Sequence, residues 1–138
     1  MISRELAREL APHLTWRPQN GDQFFIPRPE ISEQVFTVSD MVVEVISRGG
    51  DTRFHFNGTV EWALDSVEVA EVVWLPREEQ LRSRLGSHFL SMDADPGGFV
   101  VALSGPGRAH HTAPAADASD AYAHALLYVV SHEAIAAR

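Results

Sequence analysis

The chain contains no cysteine and no lysine, and it has no apolar run long enough to cross a bilayer. Without cysteine there is no disulfide framework, no thiolate metal site and no cysteine nucleophile. That composition fits a reducing compartment. Without lysine, all 11 bases are arginine, so every cationic side-chain contact must come from a guanidinium or a protonated histidine. The missing lysine is most simply a codon effect of a GC-rich genome, to which the Ala-rich tail also points. Positive charge is scarce as well, since 19 acids against 11 bases give a net charge of −8. A surface of that sign repels phosphate backbones. The nearest approach to a basic stripe, Arg77, Arg82 and Arg84, is interleaved with Glu78 and Glu79. Nucleic acid is therefore not an expected partner, whereas a basic protein partner and plain solubility both fit. The first ten residues carry Arg4, Glu5, Arg8 and Glu9 in place of an apolar signal core. Neither a signal peptide nor a membrane span is expected, and the cytoplasm is the expected location.

What is present is enough apolar material for a core. Hydrophobic residues make up 45% of the 138 and charged residues 22%, which points to a single globular domain over residues 1–138. Ser3 reads as the N-cap of a short amphipathic helix over Arg4–His13. Its apolar positions, Leu6, Ala7, Leu10, Ala11 and Leu14, recur at helical spacing, and Pro12 stops it. Phe24, Phe25 and Ile26 read as an edge strand or extended segment, because Pro27 and Pro29 follow. Gln34–Ser39, Met41–Ser47 and Thr52–Asn57 read as antiparallel strands turning at Gly49-Gly50-Asp51. In the last of them Phe54 and Phe56 share one face and Arg53, His55 and Asn57 the other.

Asn57-Gly58 closes this meander, and Thr59 caps a short helix through Glu61, Trp62, Ala63 and Leu64. Glu71–Leu75 is a short apolar strand. Pro76 then opens a helix over Arg77–Leu85, with Gly86 as its C-cap. His88–Asp93 and Phe99–Leu103 form a hairpin around Asp95-Pro96-Gly97-Gly98, and Ala109–Ala113 is a third strand. Ser119 reads as the N-cap of the final and longest helix, Asp120 to Ala134. Runs of strands between helices predict an α+β fold. The expected architecture is mainly antiparallel sheet of about five to seven short strands packed against three or four helices, with a C-terminal hairpin followed by a long helix.

Chemistry is sparse in the pattern. The histidines are His13, His55, His88, His110, His111, His124 and His132, and none forms a tight ligand spacing on one helix. A zinc site built from His55, His88 and one of His110 and His111 is one geometry that the order permits. Glu61, Asp65, Glu68 and Glu71 group on one face if that segment is helical, as crowded carboxylates or as a solvated acidic face. There is no serine elbow. Gly105-Pro106-Gly107-Arg108 lacks the spacing and the following Lys-Ser/Thr of a phosphate loop, so it reads as a hairpin turn. No catalytic residue, metal ligand or cofactor is assigned. The aromatic residues Trp16, Phe24, Phe25, Trp62 and Trp74 either fill a core or line a binding groove, and they are the candidate binding residues.

Two stretches carry a resemblance. One is Phe56-Asn57-Gly58-Thr59-Val60-Glu61-Trp62-Ala63-Leu64-Asp65-Ser66-Val67. The other is Val73-Trp74-Leu75-Pro76-Arg77-Glu78-Glu79-Gln80-Leu81. With Gly21-Asp22-x-Phe24, they resemble a family of small uncharacterised bacterial proteins, mostly actinobacterial, over residues 16–130. The W-L-P-R-x-x-Q-L piece also resembles segments of short hypothetical phage proteins. Chains of that family are sometimes labelled pilus assembly proteins, but the ATPases of pilus assembly need a nucleotide-binding P-loop, which this chain lacks. The resemblance brings no catalytic residues with it. The expected function is a non-enzymatic binding or interaction module for a protein partner. The alternatives are a small metal-dependent hydrolase using the His and Glu residues, and a phage-derived or immunity-type inhibitor.

Overall fold

The computed structural model describes residues 1–39, 43–49, 51–56, 66–105 and 107–136. Its elements, in chain order, are α1 (Arg4–Leu10), β1 (Gln23–Phe25), β2 (Phe36–Thr37), β3 (Val43–Arg48), β4 (Asp51–Phe56), β5 (Ser66–Glu68), β6 (Val73–Trp74), α2 (Glu78–Leu85), β7 (Phe89–Asp95), β8 (Gly98–Leu103), β9 (His110–His111) and α3 (Ala118–Ala136). The fold is α+β: the described residues form three α-helices and nine short strands, all paired antiparallel in three small sheets. The strands outnumber the five to seven expected, because several span only two or three residues. Among the described residues no helix is long and apolar enough to cross a membrane. The chain divides into two compact units, Thr15–Leu75 and the combination of Met1–Leu14 with Pro76–Arg138.

The Thr15–Leu75 unit is built from strands. One sheet has the order β2-β1-β6 and the other β3-β4-β5. β1 is thus a central strand, not an edge. Pro27 and Pro29 fall beyond its end, so no ladder donor is lost, and Phe24 faces both Phe36 and Trp74 across the sheet. Gly21 enters β1 with φ 92° and donates its N–H to Val38 O at 2.9 Å. That backbone favours glycine. The core is aromatic and β-branched: Phe24, Ile26, Ile31, Val38, Phe54, Val67 and Val72, with Trp16, Phe36, Val45 and Val69 packed against them. Phe24 and Phe54 stack with centroids 4.4 Å apart. Such ring pairs add about 0.5–1.5 kcal/mol to their burial.

The other unit is built from three helices and the sheet β7-β8-β9. The Ser3 hydroxyl caps α1 by accepting from Leu6 N at 3.3 Å, as its position suggests. Helix α3 packs on α1, on α2 and on β8. Its buried positions are mostly small, with Ala121, Ala123 and Ala125 beside Leu126 and Val129, and the buried residues of the helices it packs on are Leu6, Ala7 and Leu10 in α1 and Leu81 and Leu85 in α2. The cap of α3 is Asp117, two residues before the serine that the sequence suggested. Asp117 Oδ1 accepts from Ser119 N at 2.8 Å, which places Ser119 inside the first turn, where it is buried. Gly98, at the end of the β7–β8 turn, has φ 126°, and a Cβ there would stand 2.4 Å from Ala115 O. The turn needs glycine at that point.

Candidate functional site

The five aromatics named from sequence part company in the structure. Phe24 and Phe25 are fully buried, so they form interior and cannot wall an open groove. Trp74 is nearly buried and stacks on Trp16, with centroids 5.7 Å apart and planes 6° from parallel. Trp62 lies outside the described residues, together with Glu61, Asp65 and the Asn57-Gly58 turn. Trp16 remains partly exposed. Its Nε1 donates to Asp22 Oδ2 at 3.0 Å, and the same oxygen accepts from Gln19 N at 3.0 Å. Asp22 is buried, so these charge-assisted bonds fix the indole against the loop that follows it. The Gly21-Asp22-x-Phe24 motif therefore has a structural task, which is to hold Trp16 in place.

Trp16 forms one wall of an open cleft of about 640 Å³ in the Thr15–Leu75 unit. Pro18, Val45, Val69 and Ala70 continue the apolar surface, and Arg17, Ser47, Asp51, Thr52 and Glu68 supply polar groups. The β3–β4 hairpin and the start of the turn after β5 place most of these side chains. Ser47 lies opposite Thr52 in the ladder, and their hydroxyls are 3.2 Å apart. Arg53 Nη1 reaches Glu68 Oε1 at 2.8 Å and Asp51 Oδ2 at 3.7 Å, and all three side chains are part exposed. Glu68 thus stands on a strand as a cross-strand partner of Arg53. It does not share a helical face with Glu71, which lies in a single 3-10 turn and accepts from Glu68 N at 3.3 Å. Apart from Trp16 and Glu68, sequence reasoning missed the cleft residues. The usable signal was the tight turn between β3 and β4, which sets Ser47 beside Thr52.

The histidines do not assemble as the zinc geometry requires. Among the described residues no group of three or more His, Asp or Glu side chains is placed to hold a metal ion. His88 Nε2 lies 2.9 Å from Glu133 Oε1 at an exposed position. His110 stacks on Tyr128 with centroids 3.8 Å apart, and His132 stacks on the same ring, also at 3.8 Å. Two rings at that distance must occupy opposite faces of Tyr128. His132 Nδ1 also donates to Tyr128 O at 2.7 Å. His111, the next residue along β9, is exposed. His55 belongs to β4 in the Thr15–Leu75 unit.

The W-L-P-R-x-x-Q-L segment explains itself structurally. Trp74 ends a strand, and Leu75 is buried with its N–H donating to Gln23 O at 2.8 Å. Gln80 Oε1 accepts from Arg77 N at 2.9 Å, closing the first turn of α2, and Leu81 is buried. A smaller hollow of about 500 Å³ lies along α2, lined by Glu78, Glu79, Arg82, Ser83, Gly86 and Tyr122. There the Arg82 guanidinium covers the Phe89 ring at 4.8 Å.

Comparison of the chain with family models, with curated proteins and with solved structures finds no match.

Proposed function

We propose that the protein is a binding module and that the Trp16 cleft receives an extended segment of a partner protein. The observation that carries this reading is the make-up of the cleft. A fixed indole and four further apolar side chains form its wall, while hydroxyls, two carboxylates and an arginine form its polar part. An apolar centre with a polar rim is the anatomy of a peptide-docking surface. The net charge of −8 disfavours nucleic acid as the partner. The cysteine-free composition supports a cytoplasmic setting for that partner.

The test is selection of a phage-displayed random heptapeptide library against the whole chain, with Ala70→Trp as the control. Ala70 is exposed and lines the cleft, so the larger ring fills the space without entering the core. Peptides are expected to enrich on the wild-type chain, to lose binding on Ala70→Trp, and to shift the Trp16 indole N–H resonance. Equal recovery on the two proteins would sink the reading.

A further inference from the structure

We infer that the cleft selects a segment carrying an acidic side chain next to its apolar anchor, with Arg17 as the residue that reads it. The inference rests on the binding reading above and adds the chemistry of the occupant. The charged groups of the cleft are not equivalent. Asp51 and Glu68 are both drawn to Arg53, at 3.7 and 2.8 Å. A basic occupant would have to compete with that guanidinium for either carboxylate. Arg17, by contrast, is exposed, lines the cleft beside Trp16, and makes no ion pair with any described residue. Among the described residues of the cleft it is the uncommitted charge, and its complement is a carboxylate.

The neighbouring residues favour a side-chain carboxylate over a chain terminus. Capture of a terminal carboxylate uses a nest of backbone N–H donors, but Pro18, directly after Arg17, has no N–H to give. The N–H of Gln19, the next residue, is already bonded to Asp22. Trp16 and Val45 or Val69 would take the apolar anchor, and the fork of Arg17 the adjacent Asp or Glu. The chain's net charge of −8 opposes the approach of an acidic partner. Discrimination therefore has to come from this local contact and not from long-range steering.

Sequencing the peptides selected from the heptapeptide library tests this. Asp and Glu are expected to be enriched over Lys and Arg at one position relative to the apolar anchor. A synthetic Glu peptide is expected to bind up to about fivefold tighter than its Gln counterpart, the range of an exposed ion pair. Arg17→Gln should erase that ratio, and Arg17→Glu should invert the preference towards Lys. Arg17 is exposed, so neither change threatens folding. Selected peptides that favour Lys or Arg, or a Glu preference that survives Arg17→Gln, would overturn the proposal and leave the binding reading standing. Stronger binding by peptides with a free C-terminus and no internal acid would reassign Arg17 to terminal capture and equally overturn it. A library that enriches nothing over the Ala70→Trp control rejects both.

Discussion

The two units of this chain solve the same packing problem with different materials. The Thr15–Leu75 unit has strands of two to six residues and fills its core with rings, Phe24, Phe54, Phe36, Trp16 and Trp74 among them. The other unit has a 19-residue helix and buries alanines along it, so that helices can approach closely. Short strands gain little from their own ladders, so large side chains must supply the burial. A long helix satisfies its backbone internally and can use small residues where it is crossed. Truncation should therefore harm the first unit most, and enlargement the second.

Phe54→Ala is expected to cost most, about 3–5 kcal/mol, because it empties the centre of the ring cluster. Chemical denaturation would measure it, and a loss under 1 kcal/mol would break the comparison. Ala123→Leu is the converse. Its site on α3 is fully buried, and overpacking there should cost about 1–3 kcal/mol. A neutral outcome would show that the helical unit has slack that its small residues do not suggest.

Asp117→Ala should cost about 1 kcal/mol near neutral pH by uncapping α3. Burial is the largest single influence on the Asp117 carboxyl and pushes its pKa up. Its hydrogen bond to the Met1 ammonium, the N–H donors of Ser119 and Asp120, and the ammonium charge together outweigh burial and hold it below the usual value. A depressed carboxyl contributes stability above its unfolded pKa and loses it as pH falls through the folded value. The gap between wild type and Asp117→Ala should accordingly narrow on acidification below about pH 4. A gap that stays constant across an acid titration would mean that the charge of Asp117 is irrelevant to the cap. The smallest expected effect is Arg53→Gln, at about 0–1 kcal/mol, since its ion pairs are part exposed. Thermal melts at low and high salt should converge for the two proteins.

The helical unit was the more legible. Periodic apolar residues and Ser3 located α1, and Pro76 with Gly86 bracketed α2. The cap of α3 was misplaced because Asp117 and Ser119 are both good N-cap residues two positions apart, and only tertiary contacts choose between them. In the strand unit the β3–β4 hairpin was readable from its alternation and its turn. The pairing of β1 with β6 was not, because about fifty residues separate Phe24 from its partner Trp74 and nothing local specifies the match. The candidate groove was legible only in part, for a related reason. A ring that fills a core and a ring that lines a cleft look the same in sequence, and here Phe24 and Phe25 went inside while Trp16 stayed at the rim. Arg17 gave no signal at all, since its significance lies in what its neighbours are already bonded to.

The division of the chain also orders events in time. The Thr15–Leu75 unit is continuous, so it can close as soon as it leaves the ribosome. The other unit is split around it, and Ser3 N meets its partner Asp120 Oδ1 across 117 residues of sequence. Within this sequence α1 precedes the strand unit and its packing partner α3 follows it. Leu6, Ala7 and Leu10, the buried residues of α1, therefore depend on contacts of long sequence separation. The helical unit is thus closed by contacts that bridge the whole strand unit in sequence, and the Ser3–Asp120 hydrogen bond is one of them.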